Sequence, residues 1–144
     1  MLTQITLRKL NEMKLFGMAA GFENQLANSV GNQLSFEERF ALLVDQEFTY
    51  RDNRRLKRLL QGAKLRENAC VEDIDYRPGR NLDRSLVASL SLCNWIRHGM
   101  NLVITGPTGS GKTWLQCAFG NQACRQGMTV NFQRLPLLLE DLAI

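Results

Sequence analysis

The sequence has no apolar run approaching the roughly 18 to 20 residues needed to cross a bilayer, and its N-terminus lacks the regions of a secretory signal. These absences exclude a helical membrane span and lead us to expect a soluble, cytoplasmic protein. Histidine occurs once, at His98, and the four cysteines at 70, 93, 117 and 124 form no C-x-x-C pair, so the spacing of a zinc site or disulfide framework is missing. Cys117 and Cys124, seven residues apart, share one face of any helix that carries them and are expected as buried free thiols. His98 precedes Gly99 at an expected helix end, where an imidazole meets the last carbonyls, and it is assigned no catalysis. Internal repeats and low-complexity segments are absent as well. What is present is 144 residues with 44% hydrophobic content, enough core for one domain or two small ones.

Within that chain, Gly106-Pro107-Thr108-Gly109-Ser110-Gly111-Lys112-Thr113 matches G-x-x-x-x-G-K-[ST] in full. Upstream, residues 101 to 105 form a short apolar run rich in β-branched residues, read as a strand buried on both faces of a parallel sheet. Downstream, Thr113 to Arg125 contains no Pro, and Gly only at 120, and reads as a helix. A phosphate cradle belongs between two such elements. The glycines allow successive N–H groups to point inward as an anion nest, and the first turn of the helix adds its unpaired N–H groups and dipole. Lys112 is expected on the β- and γ-phosphates of ATP, and the Thr113 hydroxyl on a Mg²⁺ ion held with the nucleotide.

The first half reads as helical. A pattern from Leu2 to Met18 is interrupted at Gly17 and Gly21 before Phe22 to Leu26 resume it, giving two short helices. Ser35 and Glu38 form a capping box that opens a third helix through Phe40, Leu42, Leu43 and Val44. Thr49 offers a further N-cap, so a fourth helix is expected from Tyr50 to Arg66.

That fourth segment concentrates charge. Between Thr49 and Arg66 lie seven basic residues against one acid, Asp52, while the whole chain carries only +4. Like charges at spacings of three and four destabilise a helix, so the cluster points to an anionic partner rather than to an ordinary solvated face. We assign DNA-backbone contacts to Arg51, Arg54, Arg55, Lys57 and Arg58. With no aromatic residues interleaved, base-specific reading is not expected.

The organisation read from the sequence is a basic helical domain over 1–67, a linker over 68–83 containing the turn Arg77-Pro78-Gly79-Arg80, and part of a P-loop domain over 84–144. In the last segment, Leu82 to Trp95 reads as a helix, Gly127 to Phe132 as a second strand, and Leu135-Pro136 as the start of a leucine-rich helix. The fold class is therefore α/β: a helical N-terminal domain followed by the first part of an αβα sandwich with parallel strands.

Several of these stretches together resemble one family. Residues 73 to 80, residues 101 to 113, the run Ala123-Cys124-Arg125-Gln126-Gly127 and Arg134-Leu135-Pro136 look like those of the IstB-like transposition helper ATPases of insertion sequences. That family is similar to the DnaC helicase loader and of AAA+ class. The resemblance implies ATP and Mg²⁺ at the 106–113 loop, a DNA-contacting helical domain, homo-oligomers on DNA and a transposase partner, with no membrane. It also implies a further stretch of about a hundred residues, so the chain reads as truncated before Walker B, and hydrolysis by it alone is not expected. Three other readings share these residues: a helicase-loader-like replication ATPase, a small-molecule kinase, and a non-functional remnant. The kinase reading lacks a lid or acceptor site after Lys112.

Overall fold

A computed structural model describes residues 1–28 and 32–143, so Ile144, the last residue of the expected P-loop segment, lies outside the described residues. The chain divides into two compact units, Met1–Arg55 and Leu56–Ile144.

In the first unit, α1 (Leu2–Glu12) ends two residues before Lys14, which takes the left-handed conformation at φ 61°. Lys14 N–H donates to Asn11 O and Leu15 N–H to Leu10 O, the paired bonds of a Schellman stop. The break thus falls at a lysine and not at the glycines. Gly17 and Gly21 lie inside α2 (Phe16–Ala27), four residues apart on one face. A Cβ on Gly17 would stand 2.6 Å from Gln46 O, and one on Gly21 would overlap the Gln46 side chain. These glycines admit a neighbouring helix backbone, which is why they are buried instead of interrupting the chain.

That neighbour is α3 (Phe36–Ala63). Its start follows the capping box: Glu38 N–H donates to Ser35 Oγ at 3.2 Å, and Ser35 N–H to Glu38 Oε2 at 2.8 Å. No second start occurs at Thr49. The helix runs straight through, because nothing between Phe36 and Gln61 breaks it and a capping hydroxyl cannot open a helix whose backbone is already hydrogen-bonded. On the face toward α2, Glu47 is buried at 7% exposure, accepting from Met18 N–H at 3.1 Å and from Arg51 Nε at 2.8 Å.

The second unit contains the rest of α3, a single 3₁₀ turn at Val71–Asp73, α4 (Arg84–Ser91), α5 (Asn94–Arg97), α6 (Lys112–Arg125) and α7 (Leu135–Leu142). The expected helix from Leu82 to Trp95 is divided by Cys93, left-handed at φ 61°, and its start is capped by Asp83, whose carboxylate accepts from Ser85 N–H. At its centre lies α6, with Cys117, Ala118, Phe119, Ala123 and Cys124 all buried. Ala69, with Leu65, Val71, Trp114 and Phe132, packs around Cys117 and Ala118, while Ile74 and Val87 close over Phe119. Gly120 serves this packing, since a Cβ there would stand 2.9 Å from the Leu65 side chain. Cys117 and Cys124 are buried free thiols as expected, and burial pushes the Cys124 thiol up.

The expected αβα sandwich with parallel strands is corrected by the structure: among the described residues there is no β-strand. The segment 101–105 keeps a strand-like alternation but covers only one face. Leu102 and Ile104 join the core around Phe119, whereas Val103 is 79% exposed. In the second segment, Phe132 N–H donates to Ala63 O at the end of α3 and not to a strand. Alternation is a local property of the chain, but a strand exists only where a partner completes its ladder. The two segments do not pair with each other, so no sheet forms between them.

Glu47 yields a pH prediction. Burial alone would raise its pKa, but the Met18 N–H and the Arg51 guanidinium together hold the carboxyl below its ordinary value of 4.5. A depressed folded pKa contributes stability above about pH 4.5 that is lost as pH falls through the folded value. Thermal melts followed by helix ellipticity should therefore drop below that pH. Glu47→Gln should be less stable by about 1–3 kcal/mol near neutrality and show a flatter acid decline.

Candidate phosphate-binding site

The site is built on the start of α6, whose buried body fixes the direction of its first turn. Gly111 is the N-cap, at φ 96°, with no side-chain cap on the turn that follows. Gly109 is also left-handed, at φ 80°. Ser110 does not supply the missing cap: its Oγ donates back to Pro107 O at 2.7 Å. First-turn N–H groups without a side-chain cap, at the positive end of a helix, form a site that accepts anions.

Lys112 Nζ donates to Gly106 O and to Pro107 O, the latter at 2.9 Å, so the ammonium folds over the loop's own carbonyls. It remains at the surface and lines an open cleft of about 860 Å³ together with Thr108, Gly109, Gly111 and Thr113. Five of the eight motif residues thus meet at one cleft, while Gly106, Pro107 and Ser110 supply the carbonyls and turn that shape it.

The rest of the cleft lining was not identified from sequence as part of the site. It comprises Arg66, Glu67, Asp73, Asp75, Arg80 and Trp114. Arg77 N–H and the Arg77 guanidinium hydrogen-bond the Asp75 carboxylate and, with Arg80 nearby, hold its pKa below the usual carboxylate range. Arg80 reaches the loop itself, donating from Nη2 to Ser110 O at 3.2 Å and from Nη1 to Asp75 O at 3.0 Å. In the sequence, Arg66 stood in the basic stretch and residues 73 to 80 among those carrying the family resemblance, but nothing there announced the contact of Arg80 with the loop, which spans 30 residues.

Arg51, Arg54, Arg55, Lys57 and Arg58 are all exposed on α3. Arg51 is tied to Glu47 by a 2.8 Å ion pair. No helix among the described residues is long and apolar enough to cross a membrane.

A glycine-rich loop that enters an uncapped helix carrying a lysine in its first turn is an arrangement suited to an anion. The particular family is fixed by comparison. Residues 8–144 match the family of IstB-like ATP binding proteins, and the chain belongs to it. A Pseudomonas fluorescens relative, named for ATP binding in insertion sequence IS1162, is 50% identical over 145 residues, covering 100% of this chain and 63% of its own. An insertion-sequence relative from Sinorhizobium fredii, also named for ATP binding, is 46% identical over 100% of this chain and 59% of its own. One from Mycobacterium tuberculosis, likewise named for ATP binding in an insertion sequence, is 30% identical over 93% of this chain and 53% of its own. The chain therefore spans about six-tenths of the length of the first two relatives and half of the third.

Gly111→Ala should test the loop geometry. A side chain at φ 96° costs about 1–2 kcal/mol, and its Cβ would stand 3.2 Å from Arg80 Nη2. Chemical denaturation should show a loss of that order.

Proposed function

We propose that this chain binds ATP at the Gly106–Thr113 loop and the backbone of DNA along the basic stretch of α3, as a helper in the transposition of an insertion sequence. The observation that carries the reading is the start of α6: a left-handed glycine, a first turn without a side-chain cap, and Lys112 at the mouth of a cleft large enough for a nucleotide. The donor set suits a triphosphate, with Lys112 as a mobile point charge and main-chain N–H groups beside it. Membership among IstB-like ATP binding proteins supports adenine over another base.

Thr113 lines the same cleft, and its hydroxyl is a hard oxygen suited to Mg²⁺. Thr113 would hold the ion, which would supply charge neutralisation between the phosphates. Lys112 would exchange the carbonyls of Gly106 and Pro107 for phosphate oxygens, so the loop's own hydrogen bonds hold the lysine close to its working position. The partners we propose are DNA, a transposase and further copies of the protein. The insertion-sequence relatives favour this setting over replication.

For DNA, Arg51, Arg54, Arg55, Lys57 and Arg58 are the proposed contacts, all exposed on α3. The Arg51 guanidinium is also held by Glu47.

Two measurements test these proposals. Lys112→Ala should weaken binding of a non-hydrolysable ATP analogue with Mg²⁺ by at least about tenfold, or 1.4 kcal/mol, in calorimetry; equal affinities would overturn the nucleotide site. Replacing Arg54, Arg55 and Arg58 together by alanine should weaken duplex DNA binding and reduce the slope of log affinity against log salt by about two to three. An unchanged slope would remove the basic stretch from the interface.

A further inference from the structure

We infer that Arg80 is a second phosphate-binding cation of the cleft, engaging the polyphosphate of a nucleotide beside Lys112. The inference rests on the nucleotide reading above and adds a residue that the 106–113 motif does not contain.

Its placement is decided by backbone. Arg80 N–H donates to Arg77 O across the turn, which Gly79 closes at φ 99°, and Asn81 follows in the left-handed region at φ 56°. The guanidinium is thereby carried to the loop, where Nη1 and Nη2 are anchored on the carbonyls of Asp75 and Ser110. Nη2 stands 3.2 Å from the point a Cβ on Gly111 would occupy, which puts it at the uncapped first turn of α6. Arg80 thus shares the end of the helix where an anion is favoured.

Charge completes the argument. Both anchors are neutral carbonyls, so they orient the guanidinium without cancelling its charge. The carboxylate of Asp75 is hydrogen-bonded by Arg77. Glu67 and Asp73 line the cleft as well, so three acids and three cations, Arg66, Arg80 and Lys112, share it, and Asp75 acts on both Arg77 and Arg80. A guanidinium has five donors, and the two bonds to carbonyls leave others for phosphate oxygens in a planar fork that a lysine cannot reproduce. Held in place beforehand, it loses little freedom on binding.

The test measures binding of an ATP analogue with Mg²⁺, and separately of inorganic tripolyphosphate, to the full chain at two ionic strengths. Native protein is compared with Arg80→Gln, Arg80→Lys and Lys112→Ala, each checked for a native-like thermal melt. Arg80→Gln is expected to weaken both ligands about tenfold and to lessen their salt sensitivity, and Arg80→Lys to restore the salt sensitivity with part of the affinity. If Arg80→Gln binds both ligands as the native chain does while Lys112→Ala fails, this inference is overturned and the nucleotide site stands. Equal losses in the Gln and Lys variants, with native salt sensitivity, would make Arg80 a support for the loop and also overturn it. A native chain that binds neither ligand removes the nucleotide reading and this inference together. Should Arg80→Gln not fold, Arg80→Met takes its place beside Arg80→Lys and is read by the same outcomes.

Discussion

A helix buried on nearly every side can take only one position, and α6 imposes that constraint on the second unit. Cys117, Ala118, Phe119, Ala123 and Cys124 leave it little solvent face along its middle turns, where Gln116 is exposed, and Leu65, Ala69, Val71, Ile74 and Val87 close around it. Burying Phe119 alone contributes about 1.5–3 kcal/mol. Because the body of the helix cannot shift without opening this core, its N-terminus is fixed in space. The loop of residues 106 to 111 must fit to it.

Two kinds of glycine follow from such close packing. Gly109 and Gly111 are needed for their backbone angles, which turn the loop into the helix without a side-chain cap. Gly17, Gly21 and Gly120 sit in ordinary helical conformation and are needed for space, each where a Cβ would meet a neighbour at 3.0 Å or less. The first kind serves the candidate site and the second the packing of each unit. Glu47 shows the same economy in the first unit, where one buried carboxylate satisfies a main-chain N–H on α2 and an arginine on α3.

Much of the site was readable in one dimension because its chemistry is contiguous. Eight consecutive residues carry the loop, the lysine and the hydroxyl, and their composition implies the local backbone. The capping box at Ser35 and Glu38 was legible for the same reason, as both partners lie within one turn. Arg80 was not, since its value depends on a contact with Ser110 that no local pattern announces. Thr49 misled in the opposite direction: a good capping residue has no effect in the middle of α3, where the neighbouring backbone is already bonded.

The sequence by itself determined the capping box that opens α3, the glycine-rich loop before α6 and the concentration of positive charge on one stretch of α3, because each rests on residues within a turn or two of one another. Tertiary structure decided which glycines bend the chain and which admit a neighbour, where Arg80 comes to rest, and whether the apolar segments become strands. The last went against the local pattern: residues 101 to 105 have the apolar, β-branched composition of a strand, yet a ladder is made of hydrogen bonds between segments, and composition alone cannot supply the partner.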